Sequence, residues 1–202
     1  GKFTGLIIPN VFGPFCKPNY NSFVATFCSK IINDEAPEVI QDANIPLLYV
    51  GNLINQIVEA IIKPKECILN IQPDIEVKVT EVLNLLNSFK DSYIDKNTIP
   101  FLKSTFELEM FNTFRSYKSF KENRPSFLLN NIDERGSFSE LIRTEIGGQF
   151  SYSTTLPGFT RGNHFHTRKI ERFMVIVGEA KICLRKTGTD QVHEYYLNGD
   201  KP

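Results

Sequence analysis

The sequence predicts an α/β half followed by an all-β half, and three observations predict it. Up to about residue 92, short apolar runs alternate with helical patterns, the signature of a layered α/β arrangement. Further on, the period changes to two, and glycine-bearing turns recur at Arg135-Gly136, Gly147-Gly148, Pro157-Gly158, Gly162-Asn163, Gly188 and Gly199. Short strands at that spacing suit a barrel or jelly roll. Between the two regimes, residues 121–125 read as a linker, so the expected domains are 1–122 and 123–202.

The elements follow in order. Leu6-Ile7-Ile8 reads as a buried strand ended by Pro9-Asn10. Residues 21–32 read as a helix with Asn21 or Ser22 as N-cap and Val24, Phe27, Cys28 and Ile31 on one face. A strand over 45–50, a helix over 52–62 ended by Lys63-Pro64 and a strand over 67–71 come next. Thr80 is expected to cap a helix that buries Val82, Leu83, Leu86 and Phe89. Residues 101–120 form a more polar, Phe-rich helical stretch.

Composition excludes several function classes. The chain has 202 residues, 41% of them hydrophobic, with 23 basic and 23 acidic side chains. That balance gives no pull towards nucleic acid or an anionic membrane, so the expected partners are small soluble ligands. The most apolar stretch, 45–62, is broken by Pro46, Asn52, Asn55, Gln56 and Glu59 and cannot span a membrane. Cys16, Cys28, Cys67 and Cys183 form no C-x-x-C pair, and are expected to be buried free thiols in a cytoplasmic protein. A chain that begins with Gly and ends at Gly199-Asp200-Lys201-Pro202 reads as an internal piece of a longer protein.

Residues 158–178 carry the chemistry. They contain His164, His166 and Glu171 between Gly158 and Gly178, in the pattern G-x5-H-x-H-x4-E-x6-G. In an extended strand His164 and His166 share one face while Phe165 packs on the other. Glu171 opens the next apolar run, 173–177, and pairing of the two segments would bring its carboxylate beside both imidazoles. Two neutral imidazoles and a carboxylate suit a divalent metal, zinc, iron(II), manganese or nickel. His193, the third histidine, reads as an exposed strand position.

This pattern resembles the first sequence motif of the cupins. With both halves in view, the chain resembles the bifunctional capsular UDP-sugar 4-ketoreductase/3-epimerases, the CapF-like family, in which an extended short-chain dehydrogenase/reductase is fused to a C-terminal cupin. The run from Pro9-Asn10-Val11-Phe12-Gly13-Pro14 to Asn19-Tyr20-Asn21-Ser22 is similar to the reductase's substrate-side segment. Asp133-Glu134-Arg135-Gly136 and Thr160-Arg161-Gly162-Asn163-His164-Phe165-His166 are similar to the fused cupin. The implied fold is the C-terminal, substrate-binding part of a Rossmann-like reductase domain followed by a partial jelly roll.

The resemblance implies a UDP-2-acetamido-2,6-dideoxy-4-ketohexose substrate, inverted at C3 in the cupin and reduced at C4 by NADPH in the reductase, for N-acetyl-L-fucosamine in surface polysaccharide. It implies a divalent metal, zinc first, at His164, His166 and Glu171, and substrate contacts from Asn10, Asn19, Asn21 and Arg161. Asn21 and Ser22 lie where a helix N-terminus favours phosphate, Lys17 is a further diphosphate candidate, and a homodimer is implied for the parent. Arg161-Gly162-Asn163-His164 is also similar to a stretch of the dTDP-keto-sugar epimerases, in which the histidine is the base, and this leaves His164 as an alternative catalytic base.

Some family features are not met. Ile7 stands where the family has arginine, and Gly51-Asn52 where it has an acidic pair. No Gly-x-x-Gly-x-x-Gly cradle for a dinucleotide occurs, and the reductase's Tyr-x-x-x-Lys proton donor is read as absent. The alternative reading is therefore a non-catalytic nucleotide-sugar-binding or assembly module with a structural metal.

Overall fold

The computed structural model describes residues 3–64, 66–118 and 129–200. It is a mixed helix and sheet structure in two compact units, 1–154 and 155–202. The expected boundary near 122 and the linker over 121–125 lie outside the described residues.

The first unit begins with β1 (Thr4–Ile7) and β2 (Asn10–Phe12), then α1 (Phe23–Ile32), β3 (Asn44–Tyr49) and α2 (Val50–Ile62). β4 (Cys67–Asn70), β5 (Ile75–Lys78), α3 (Val79–Phe89), a π-helical turn at Lys90–Asp95, β6 (Thr98–Ile99) and α4 (Thr105–Arg115) follow. β2 and β3 pair in parallel and β5 joins β3 antiparallel, while β1 pairs β4 in a separate parallel ribbon. Successive strand residues face opposite ways. Leu47 accordingly enters the larger core with Phe12, Val24, Cys28, Leu86, Met110 and Phe114, whereas Leu48 packs with Leu53 and Ile71 in a smaller one.

α1 forms as its periodicity dictates. Ser22 Oγ accepts from the Ala25 N–H at 3.4 Å, and Val24, Phe27, Cys28 and Ile31 are buried. α3 departs from expectation at its start, because Thr80 lies inside the helix. Its N–H and hydroxyl donate to the Asp42 carboxylate at 3.1 and 3.0 Å, so a residue 38 positions away supplies the anionic cap. In α4, Ser104 Oγ accepts from the Glu107 N–H at 3.1 Å, and Met110, Phe111 and Phe114 point inward.

β7 (Asn130–Asp133), β8 (Gly136–Thr144) and β9 (Gln149–Ser153) complete the unit. β8 is the hub. β7 and β9 pair with it antiparallel, and β6 pairs in parallel through Thr98 with Arg143 and Ile99 with Thr144. The Phe101 N–H also donates to the Glu145 carboxylate at 2.8 Å.

The β7–β8 turn falls at Arg135-Gly136 as expected. Gly136 has φ 130°, and a Cβ there would lie 2.4 Å from the Thr154 carbonyl oxygen. Gly136→Ala is therefore expected to cost about 2–3 kcal/mol, since backbone cannot yield as a flexible side chain can. Urea unfolding beside Gly147→Ala, whose Cβ would meet nothing within 4 Å, separates the clash from the loss of glycine's freedom at positive φ.

The second unit contains β10 (Glu179–Arg185) and β11 (Val192–Asn198), an antiparallel pair closed where the Gly199 N–H donates to the Gly178 carbonyl at 3.0 Å. Residues 161–166 and 173–177 join no strand ladder, contrary to the expected pairing. Phe165 is 71% exposed instead of packed, because no sheet face forms there to receive it. Of the four cysteines, all free, only Cys28 is fully buried, and Cys67 and Cys183 are exposed. Burial pushes the Cys28 thiol far up, which leaves it unreactive.

Candidate metal centre

His164, His166 and Glu171 converge although no ladder aligns them. One ligand atom from each falls within 4.8 Å of the others. His166 Nε2 lies 3.3 Å from Glu171 Oε1, and the two imidazole rings stand 4.7 Å apart, inclined at 71°. Turns shape the segment. Gly158 and Gly178, at its ends, have φ of 86° and 83°, and Gly162 and Asn163, just before His164, have 105° and 58°. A side chain is strained at such angles, and glycine or asparagine relieves that strain.

The donor set fits a divalent metal. Two imidazole nitrogens and one carboxylate oxygen are the ligands zinc accepts in three-protein-ligand sites, with further positions for water or substrate. Lys169 Nζ reaches Glu171 Oε1 at 2.5 Å. That hydrogen bond, ahead of the attraction of the imidazoles, holds the Glu171 carboxyl below the usual glutamate range. The carboxylate is thus ionised and ready to ligate. His193 sits exposed on β11 opposite Leu184.

The other expected site residues divide between the units. Asn10 opens β2 and is exposed. Asn19, also exposed, has φ 54°, and its N–H donates to Thr26 Oγ1 at 2.9 Å. Asn21 is exposed immediately before the Ser22 cap of α1. Arg161 is half-buried and belongs to the second unit.

Sequence reasoning missed the residues that hold this loop. The Tyr117 hydroxyl donates to the Cys16 carbonyl at 2.7 Å, and the Phe15 N–H donates to Ser116 Oγ at 3.2 Å, both across 101 positions. Contrary to the reading above, a Tyr-x-x-x-Lys spacing does occur, at Tyr117 and Lys121. Lys121 lies outside the described residues. Burial pushes the Tyr117 hydroxyl up, away from the acidity a proton donor needs, and its hydrogen bond makes it a fastening for the loop.

The Gly51-Asn52 departure is also explained locally. Asn52 Nδ2 donates to Asp74 Oδ2 at 3.0 Å and to Glu109 Oε1 at 3.3 Å, and Asp74 Oδ2 accepts from the Tyr49 N–H at 2.7 Å. Partial burial, then the Asp74 charge, raises the Glu109 carboxyl. Carboxylates from two other elements thus surround the amide.

Comparison with known proteins places this architecture in polysaccharide biosynthesis. Residues 131–202 match the family model described as the polysaccharide biosynthesis C-terminal domain. The chain is a homologue of the CapF-like capsular UDP-sugar enzymes along nearly its whole length. Against CapF of Staphylococcus aureus, a capsular polysaccharide assembling protein, it is 37% identical with a TM-score of 0.81, over 97% of this chain and 54% of that one. A UDP-2-acetamido-2,6-beta-L-arabino-hexul-4-ose reductase of Pseudomonas aeruginosa is 34% identical over 96% of this chain and 52% of the relative. The spore coat polysaccharide biosynthesis protein SpsL of Bacillus subtilis is 28% identical over 37% of this chain and 56% of its own length. The chain spans about half the length of the relatives it matches. No helix among the described residues is long and apolar enough to cross a membrane.

Proposed function

We propose that the polypeptide carrying this sequence converts a UDP-2-acetamido-2,6-dideoxy-4-ketohexose in two steps, epimerisation at C3 and reduction at C4 by NADPH, for surface polysaccharide. In this reading residues 1–122 are the substrate-side part of a short-chain reductase and 123–202 part of a cupin. The observation that carries it is the convergence of His164, His166 and Glu171 in a chain homologous throughout to CapF. CapF is also described with the inhibitor 3-isopropenyl-tropolone. Tropolones bind divalent metals through two adjacent oxygens, which supports a metal-dependent centre.

The chemistry required is modest. A ketone at C4 acidifies the C3 proton, so the protein must hold the sugar, stabilise the enolate and exchange one proton between faces. Asn10, Asn19 and Asn21 hydrogen-bond the nucleotide sugar, and the Arg161 guanidinium pairs with its diphosphate. His164, His166 and Glu171 hold the metal, which when bound supplies Lewis acidity towards an enolate oxygen or fixes the fold of the segment.

The test is incubation with the 4-keto sugar and NADPH in deuterated water. Deuterium at C3 together with NADPH consumption is the expected result. Nucleotide-sugar binding without either would leave the non-catalytic module, which the lack of a glycine-rich dinucleotide cradle in these residues favours.

A further inference from the structure

We propose that Lys169 is a built-in cationic competitor for the metal, occupying the Glu171 oxygen until a divalent ion displaces it. This rests on the metal reading of His164, His166 and Glu171. The observation behind it is that two groups meet at one atom. Lys169 Nζ lies 2.5 Å from Glu171 Oε1, and His166 Nε2 lies 3.3 Å from the same oxygen. The oxygen that faces the imidazole nitrogen, and so would share a metal with it, is the one the ammonium holds.

Metal entry therefore exchanges one cation for another. Lys169 must leave, because an ammonium in hydrogen-bond range of a carboxylate oxygen stands within a few ångströms of any ion on that oxygen, and the two repel. It has a way out. Its side chain is 54% exposed against 24% for Glu171, and residues 169–170 join no ladder. An exposed ion pair is also weak enough for a divalent ion to break. Until then the ammonium keeps Glu171 ionised and turned towards the histidines, so that vacating the site does not leave three donors to scatter. The consequence is a metal site tuned to be weaker and more exchangeable than its ligands alone would make it.

The experiment is zinc titration of the purified chain against a chromophoric chelator, for the wild type, Lys169→Gln, Lys169→Arg and His166→Ala. Lys169→Gln should bind zinc about tenfold more tightly at low salt, with the gain shrinking as salt screens the repulsion. Lys169→Arg, which keeps the charge, should stay within about threefold of the wild type by the same Coulomb argument. Amine-reactive labelling of Lys169, read by mass spectrometry, should rise when zinc is added to the wild type.

An unchanged or weaker affinity in Lys169→Gln would make Lys169 a positioning residue for Glu171 and overturn the competition, as would an arginine variant as tight as the glutamine one. If instead the wild type takes up no zinc, or His166→Ala takes up as much as the wild type, the metal reading itself falls and the inference goes with it.

Discussion

Replacing Phe114 by alanine is expected to lower the unfolding free energy by about 4 kcal/mol, the cost of emptying a fully buried aromatic site. Phe114 is 0% exposed. Its ring lies 6.0 Å from that of Phe89, which in turn meets Phe111 at 5.0 Å. All three belong to the cluster that also holds Phe12, Leu86 and Met110, so α4 is fastened to α3 and to the sheet at this point. Small domains are stable by only about 5–15 kcal/mol, and such a loss would take a large share. Phe101 is the control, since it is 52% exposed and its one long-range hydrogen bond comes from its backbone N–H. Phe101→Ala should cost less than about 1 kcal/mol. Urea unfolding of both variants decides the matter, and equal shifts in midpoint would remove the claim that the Phe114 cluster anchors α4.

That helix illustrates what a sequence makes legible. The Phe-rich stretch over 101–120 reads as helical, and α4 forms within it at Thr105–Arg115. The inward face of α1 is equally readable, because Val24, Phe27, Cys28 and Ile31 recur at helical spacing and Ser22 is a good cap. β6 is not readable. It has two residues, too few for any period, and exists because β8 offers Thr98 and Ile99 a ladder. The cap of α3 was misread for a related reason. Thr80 is a strong local capping candidate, but Asp42 arrives through the tertiary fold and supplies the charge from outside. Tyr117 and Ser116 reach the loop at Phe15 and Cys16 in the same way, across 101 positions.

The candidate metal centre divides along the same line. Its three donors were legible because ligand chemistry constrains residue type and spacing directly. The means of bringing them together was not. Strand pairing of the two segments was expected, and turns around Gly162, Asn163 and their neighbours do it without a ladder. Lys169 carried no sequence signal of its own, since a lysine two residues before a glutamate is ordinary until the backbone turns it back onto the carboxylate.

His166→Ala is expected to weaken zinc binding about a hundredfold or more. Second-shell changes alone commonly cost ten- to a hundredfold, and here a ligand itself is removed. His166 is the better choice than His164 because its Nε2 is the nitrogen 3.3 Å from Glu171 Oε1, so its loss breaks the centre of the triad and also removes a neighbour that keeps Glu171 ionised. The site is solvent-exposed and lies outside regular strands, and alanine there opens no cavity. Far-UV circular dichroism should accordingly be unchanged without metal. Zinc at a hundred times its dissociation constant should add about 2.7 kcal/mol to the unfolding free energy of the wild type by mass action. In His166→Ala that increment should vanish, while His193→Ala, altered on the exposed face of β11, should keep it. Loss of the increment in both variants, or in neither, would mean that zinc is held elsewhere or not at all.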